Sequence, residues 1–301
     1  MSKLDLIDVS HSYGKKRVLN HVNLRVDAGQ VVALVGPSGC GKSTLLRAIL
    51  GTHPPTGGQV LVDGQLVDQP TRNVGIVYQH YSLYDFLTAR QNVAFGLMLD
   101  QTSTPYRVFH PLAWRKLRAD HLQQADELLE KVGLLAARDQ YPSQMSGGMR
   151  QRVAIAQALI MEPSVLLLDE PFGALDEATR EELQLMLLRL YEENVRAREQ
   201  HRQPPHTVII VTHELNEALF VSDRVVGLSQ YHADGANGAT IVYDRPAPIF
   251  TPDAPKDLRL FVQQKEELIK CVFSESHQND HKQFITFWNE HTKHAEVESQ
   301  I

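Results

Sequence analysis

The chain has 301 residues, 43% hydrophobic and 22% charged, with a formal net charge of -6. That composition supports a sizeable core arranged as one large domain or two modest ones. The acidic balance argues against a nucleic-acid partner, which ordinarily shows a basic excess. No run approaches the roughly 18 apolar residues that cross a bilayer. The opening MSKLDLIDVSHSYGKKRVL lacks the basic-then-apolar layout of a secretory signal, so a cytosolic chain is expected. Cys40 and Cys271 are too few for a disulfide framework and are not spaced as metal ligands. A metal, if used, is expected to arrive with the substrate.

Residues 3–35 read as short alternating strands around a glycine-containing turn and end in the apolar run Val31-Val32-Ala33-Leu34-Val35. A glycine-rich loop follows, then a helical pattern from Lys42 to Leu50, stopped by Gly51. Residues 57–78 return to strand-like patches divided by Asp63-Gly64, a hairpin signal. From about 88 to 160 the pattern is mainly helical, clearest in ADELLEKVGLL. Two strand–helix units come next, VLLLDE before EATREELQLMLLRLYEE and TVIIVTH before ELNEALFV. Strands alternating with helices predict a largely parallel sheet covered on both faces. Residues 100–120, 195–206 and 231–239 read as surface additions, and residues 255–301 as a polar tail of helical pattern. His277 with His281, and His291 with His294, stand at helical spacing in that tail. Without carboxylate or cysteine support they read as solvated polar residues rather than a metal site.

The most informative motif is Gly36, Pro37, Ser38, Gly39, Cys40, Gly41, Lys42, Ser43, Thr44, a complete G-x-x-x-x-G-K-[ST] phosphate loop between an apolar strand and a helix. Its glycines let successive N–H groups point inward and form an anion cradle at a helix start. Lys42 supplies a point charge for the β- and γ-phosphates, and the Ser43 hydroxyl is a Mg²⁺ ligand. Cys40 is either a small filler or a redox-sensitive thiol. The run 165–168 then ends in Asp169 and Glu170. A strand buried on both faces has no use for two terminal carboxylates as packing. Asp169 is expected to hold Mg²⁺ and Glu170 to polarise an attacking water.

These two elements specify an NTPase. A second glycine turn opens another helix at Met145, Ser146, Gly147, Gly148, Met149, with Met149, Val153, Ala156 and Ile160 on one face to anchor it. One chain thus carries two helix-terminal phosphate sites, more than one nucleotide needs from one subunit. Here the sequence resembles the ABC transporter ATPases from about residue 3 to 250. Their signature reads Leu-Ser-Gly-Gly-Gln; Met145 and Met149 replace its outer residues, while Ser146, Gly147 and Gly148 remain.

The resemblance implies a P-loop NTPase of the ABC type: a mostly parallel core sheet, an antiparallel β subdomain and a helical subdomain at about 88–160, together spanning 1–254. By the same resemblance Tyr13 stacks on adenine, and Gln79 touches Mg²⁺ and senses the membrane partner. Asp176 lies in a loop across the subunit boundary or simply caps the next helix. His213 contacts the γ-phosphate. His213-Glu214 begins like a zinc-protease motif, but Glu217 stands where the second histidine belongs. The family implies a head-to-tail dimer of ATPase subunits, with each ATP between the phosphate loop of one and Ser146, Gly147 and Gly148 of the other.

A lone cassette resembles the importer arrangement, placed peripherally on the cytoplasmic face of the membrane. Its partners are separate permease subunits and, indirectly, an extracytoplasmic solute-binding protein. The signature variant with Asp169-Glu170-Pro171-Phe172-Gly173-Ala174-Leu175-Asp176 looks most like importers of nitrate, sulfonates or taurine. Competing readings fit less well. A soluble ABC ATPase acting on ribosomes or DNA usually has paired cassettes or a long coiled-coil interruption, and a small-molecule kinase leaves residues 146–148 unexplained. The 100–120 stretch concentrates Tyr106, Arg107, Phe109, His110, Trp114, Arg115, Lys116 and Arg118. It reads as a docking element for protein or anionic lipid, or as a surface loop whose Phe109 and Trp114 pack locally.

Overall fold

The structure is a computed structural model that describes residues 2–79, 82–173, 175–230, 237–247 and 258–273. His277, His281, His291, His294, Ala174 and residues 231–236 lie outside those described. Strands β1 (Ser2–Tyr13) and β2 (Lys16–Asp27) form a hairpin about Gly14, followed by β3 (Val31–Val35), which is buried along its whole length. Helix α1 (Lys42–Leu50) ends where Gly51, at φ 81°, donates its N–H to the Ala48 and Arg47 carbonyls. This is the left-handed helix stop that glycine makes cheaply. Strands β4 (Gly57–Val62) and β5 (Gln65–Leu66) meet at Asp63-Gly64, both at positive φ as a two-residue hairpin requires. Lys3 Nζ, at 2.7 Å, and the Ser164 hydroxyl both donate to the Asp63 carboxylate and fix that turn.

After β6 (Val74–Val77) come four helices: α2 (Ala89–Gln101), α3 (Thr104–Phe109), α4 (Pro111–Lys131) and α5 (Gly147–Leu159). Gln91 Oε1 accepts from the Thr88 N–H at 3.0 Å and so caps the start of α2. The fully buried Asn92 bonds to both backbone groups of Tyr84 and to the Leu87 carbonyl, fastening the preceding loop to α2. Met149, Val153, Ala156 and Ile160 all pack into the main core, as their spacing predicts.

Strand β7 (Val165–Asp169), helix α6 (Glu177–Glu199), strand β8 (Val208–Val211), helix α7 (Leu215–Val221), strands β9 (Arg224–Ser229) and β10 (Thr240–Pro246), and helix α8 (Leu258–Val272) follow. The antiparallel sheet has the order β2-β1-β4-β5, and the larger sheet β10-β9-β3-β8-β7-β6. Every pairing in the larger sheet is parallel except β10 with β9. The expected mixed α/β architecture is therefore present. Leu4, Leu6 and Val22 from the antiparallel sheet share one core with Leu34, Leu45 and Leu46, which clamps that sheet over α1.

Three features differ from the sequence reading. Strands β9 and β10 close one end of the large sheet, where the sequence reading gives only a surface addition at 231–239. Residues 195–206 are largely exposed, as a surface addition should be, but α6 runs on to Glu199 and the stretch is anchored. There the buried Asn194 bonds to the Gly29 carbonyl and to both backbone groups of His206, and Pro204 packs over Gly29. The described part of the polar tail, α8, packs Leu268 and Val272 against Leu219, Val225 and Tyr243.

Candidate active site

The chain leaves β3 at Gly36, where any β-carbon would stand 2.2 Å from the Leu228 carbonyl oxygen. Glycine alone lets the loop begin this close to β9. Gly41, at φ 107°, caps α1 without a side chain, so the helix's first N–H groups face the concavity of the loop. Lys42 is buried, and its ammonium donates to the Gly36 and Pro37 carbonyls at 2.7 and 3.1 Å. Positive charge therefore sits within the curl of the loop. Ser38, Gly39 and Ser43 are exposed, whereas Pro37, Cys40 and Thr44 are buried. Burial pushes the Cys40 thiol above its ordinary value despite the pull of Lys42. That suppresses the reactive thiolate and favours the small-filler reading.

Strands β6, β7, β8 and β3 lie side by side and parallel, so the loops at their carboxyl ends open on one edge. That edge is where open parallel sheets place ligands. Gln79 follows β6, Asp169 ends β7 with Glu170 behind it, His213 follows β8, and the phosphate loop follows β3. Burial, then the charge of Glu170, raises the Asp169 carboxyl, while Lys42 and Arg47 draw it down. Glu170 adopts φ 47°, a left-handed conformation that costs a non-glycine residue about 1–3 kcal/mol. Its N–H donates to the Val211 carbonyl at 2.8 Å, and its carbonyl accepts from Gly173 at 3.2 Å. Glu170 Oε1 lies 3.3 Å from His213 Nδ1. A β-carbon built on Gly173 would find Gln79 Nε2 at 3.5 Å and Glu170 Oε2 at 3.9 Å. Gln79, Glu170 and His213 thus share one small space beside the acidic strand end.

Tyr13 ends β1 with its ring exposed, and the buried His11 ring meets it edge-on at 4.7 Å. The same hairpin lays Val18 and Leu19 against Gly41, which brings Tyr13 to the phosphate-loop side of the molecule. Residues 146–148 stand elsewhere. Ser146 caps α5 by accepting from Met149 N–H at 3.2 Å, and Met145 is buried beneath it. A β-carbon on Gly148 would collide with Thr179 Cγ2 at 1.7 Å, so this turn rests directly on the start of α6. Helix α5 packs on α2, α4, α6 and β6, whereas α1 packs on β2 and β6. No hydrogen bond among the described residues joins residues 146–148 to the phosphate loop. Asp176 caps α6, its Oδ1 accepting from Thr179 N–H at 2.9 Å, and that bond holds its carboxyl below the ordinary range.

The family description "ABC transporter" matches residues 19–173. The chain belongs to the ABC transporter family. It is 41% identical over 270 residues to the sulfate/thiosulfate import ATP-binding protein CysA of Pectobacterium atrosepticum, covering 88% of this chain and 76% of that one. With the CysA of Synechocystis it shares 44% identity over 247 residues, covering 81% of this chain and 62% of its relative. Among solved structures it is similar to the dimeric ATP-binding cassette MJ0796 bound to ADP and Pi. There the TM-score is 0.61 at 30% identity, over 82% of this chain and all of that one. A second similar structure is cbiO1 from Clostridium perfringens, with a TM-score of 0.63 at 25% identity, over 81% and 88% of the two chains. The cassette is accordingly the ATP-binding, ATP-hydrolysing subunit of a transporter.

Sequence reasoning missed a brace behind His213. Glu217 of the cassette is buried, accepts from the Thr212 hydroxyl at 3.0 Å, and lies 3.3 Å from Arg180 Nε. Arg180 also donates to the Leu175 carbonyl at 3.2 Å and to Glu177 at 2.8 Å, while Thr212 Oγ1 accepts from Glu214 N–H at 3.0 Å. Burial raises the Glu217 carboxyl, and Thr212 and Arg180 oppose the rise. One carboxylate therefore ties the start of α6 to the residue preceding His213. The available signal was position: an acid one helical turn past His213 faces back toward the strand end. Glu217→Ala is expected to lower ATP hydrolysis about tenfold, or about 1.4 kcal/mol in barrier, while ATP affinity is kept. Steady-state turnover alongside nucleotide-binding titration checks this; unchanged turnover would remove Glu217 from the account.

Proposed function

We propose that two copies of this cassette close head to tail on two ATP molecules and so power import of a sulfur oxyanion through separate permease subunits. An extracytoplasmic solute-binding protein would deliver that solute. The observation that carries the dimer is the placement of two anion-receiving helix starts on separate elements of one chain, α1 and α5. A second copy supplies the missing wall of each site, and MJ0796, a similar cassette, is dimeric with ADP and Pi.

In this reading the α1 N–H groups and Lys42 receive the β- and γ-phosphates, and Tyr13 stacks on adenine. Ser146, Gly147 and Gly148 of the second copy meet the γ-phosphate. Ser43, Gln79 and Asp169 would hold Mg²⁺, which neutralises phosphate charge when bound. The donors fit that ion: they are hard oxygens, and Asp169 ends β7 where burial and the neighbouring Glu170 charge disfavour its ionised form. Glu170 accepts a hydrogen bond from the attacking water and takes its proton. His213 donates to a γ-phosphate oxygen while its Nδ1 stays near Glu170. Differential stability of the closed pair with ATP and with its products then drives two states of the membrane partner.

Tyr78, next to Gln79 in the chain, and the neighbouring rings of Tyr84 and Phe86 are exposed, apolar surface suited to a permease segment. No described helix is long and apolar enough to cross a membrane, and peripheral placement on the cytoplasmic face follows from the importer reading. The signature variant favours the nitrate, sulfonate and taurine group, whereas the relatives above are named for sulfate and thiosulfate import. Sulfate, thiosulfate and sulfonates share a sulfur oxyanion, which is the class adopted here. The import proteins among the relatives give no support to action on ribosomes or DNA.

Mixing Lys42→Ala and Ser146→Arg chains tests the shared site. Their heterodimer has one site with both defects and one with neither, so ATPase activity absent from each variant alone should reappear; no recovery would favour a monomeric NTPase. For the solute, ATP hydrolysis by the intact complex with its binding protein should rise with sulfate or thiosulfate and not with nitrate. A response confined to nitrate would overturn the class.

A further inference from the structure

Between Asp100 and Asp120 the chain carries no acidic residue and four cations, Arg107, Arg115, Lys116 and Arg118, within a protein of net charge -6. The structure folds this segment into an elbow. Helix α3 turns into α4 at His110, beyond the end of α2. Arg107 acts as a rivet rather than a surface charge. Its guanidinium donates to the Met98 and Thr102 carbonyls and to the Thr102 hydroxyl, and it lies over the Trp114 ring at 5.4 Å. Trp114 in turn faces α2 across a small cavity it shares with Phe95 and Met98. The expected cluster is therefore divided, with its arginine–tryptophan pair spent on holding the elbow.

What the elbow presents outward is different. Val108, Phe109 and Leu112 are 67%, 77% and 80% exposed, side by side where the two helices meet. Arg115 and Lys116 follow Leu112 at i+3 and i+4, hence on the same helix face. Arg115 and Lys116 are exposed, and neither forms an ion pair among the described residues. Asp100, at one flank, pairs with Arg72 at 3.3 Å; Asp120, at the other, is exposed.

We propose that this α3–α4 elbow is a contact site for an anionic lipid surface, with Val108, Phe109 and Leu112 entering the headgroup layer and Arg115 and Lys116 pairing with lipid phosphates. Outward Phe and Leu beside Lys and Arg make up the composition of an interfacial membrane anchor. A protein-recognition patch would more typically turn its tryptophan outward, whereas here Trp114 is turned in beneath Arg107 and the outward Arg115 stands among aliphatic and phenyl side chains. The elbow lies beyond the C-terminal end of α2, whereas Tyr78, Tyr84 and Phe86, assigned to the permease, precede its N-terminal end. Lipid contact at this surface is independent of which solute is carried.

The test is cosedimentation of the full chain with phosphatidylcholine vesicles, with and without phosphatidylglycerol, at low and high salt. Binding is expected to phosphatidylglycerol vesicles and to weaken with salt. Arg115→Glu with Lys116→Glu should weaken it by at least about 30-fold, and Phe109→Ser with Leu112→Ser should also release the protein. Both double variants should hydrolyse ATP in solution like the parent, showing that they fold. Parent protein that ignores anionic vesicles, or variants that bind them equally well, would overturn the proposal. So would variants that lose assembly with detergent-solubilised permease while vesicle binding stays intact, since the elbow would then be a protein contact.

Discussion

The site depends on a like-charge constraint at the end of β7. Asp169 ends a strand whose other residues are buried, and burial together with the charge of the following Glu170 raises its carboxyl. The parallel sheet brings Lys42 from beside β3 and His213 from β8 toward the pair, and in the proposed function a hard cation delivered with phosphates would offset the remainder. Glu170 is held in a left-handed conformation by its bonds to Val211 and Gly173. Backbone strain of that kind persists where the surrounding structure over-determines it, and it clusters at functional sites.

From that constraint the division of the molecule follows. The antiparallel sheet closes over α1 and lays Val18 and Leu19 against Gly41 of the phosphate loop. Helices α2 to α5 hold residues 146–148 on a separate face, locked to the α6 start by the collision any side chain at Gly148 would make with Thr179. The Glu217–Arg180 brace then joins the loop of Asp176 to the strand end of His213. In the proposed dimer, the element that faces the second copy is thereby tied mechanically to the residue nearest Glu170.

Much of this was legible in the sequence because it is local. The glycines of the phosphate loop, the apolar run before Asp169 and the cap Asp176 each act within a few positions. The Asp63-Gly64 turn and the periodicity of Met149, Val153, Ala156 and Ile160 are equally short-ranged. What stayed hidden depends on contacts distant along the chain. Asn194 gives no sign of its bond to Gly29, and Glu217 none of its pairing with Arg180. Arg107 looked like a surface charge because its acceptors, the carbonyls ending α2, carry no side-chain signature. Strands β9 and β10 were overlooked since RVVGLS is short and owes its burial to β3 and α8.

The central claim is that each ATP site is completed by a second copy. Sedimentation of the Glu170→Gln chain with Mg-ATP tests it most directly, because slow hydrolysis preserves the ATP-bound form. The account predicts a dimer with ATP, a monomer with ADP, and loss of the dimer when Ser146→Arg is added. A Glu170→Gln chain that binds ATP yet remains monomeric at every concentration would contradict it.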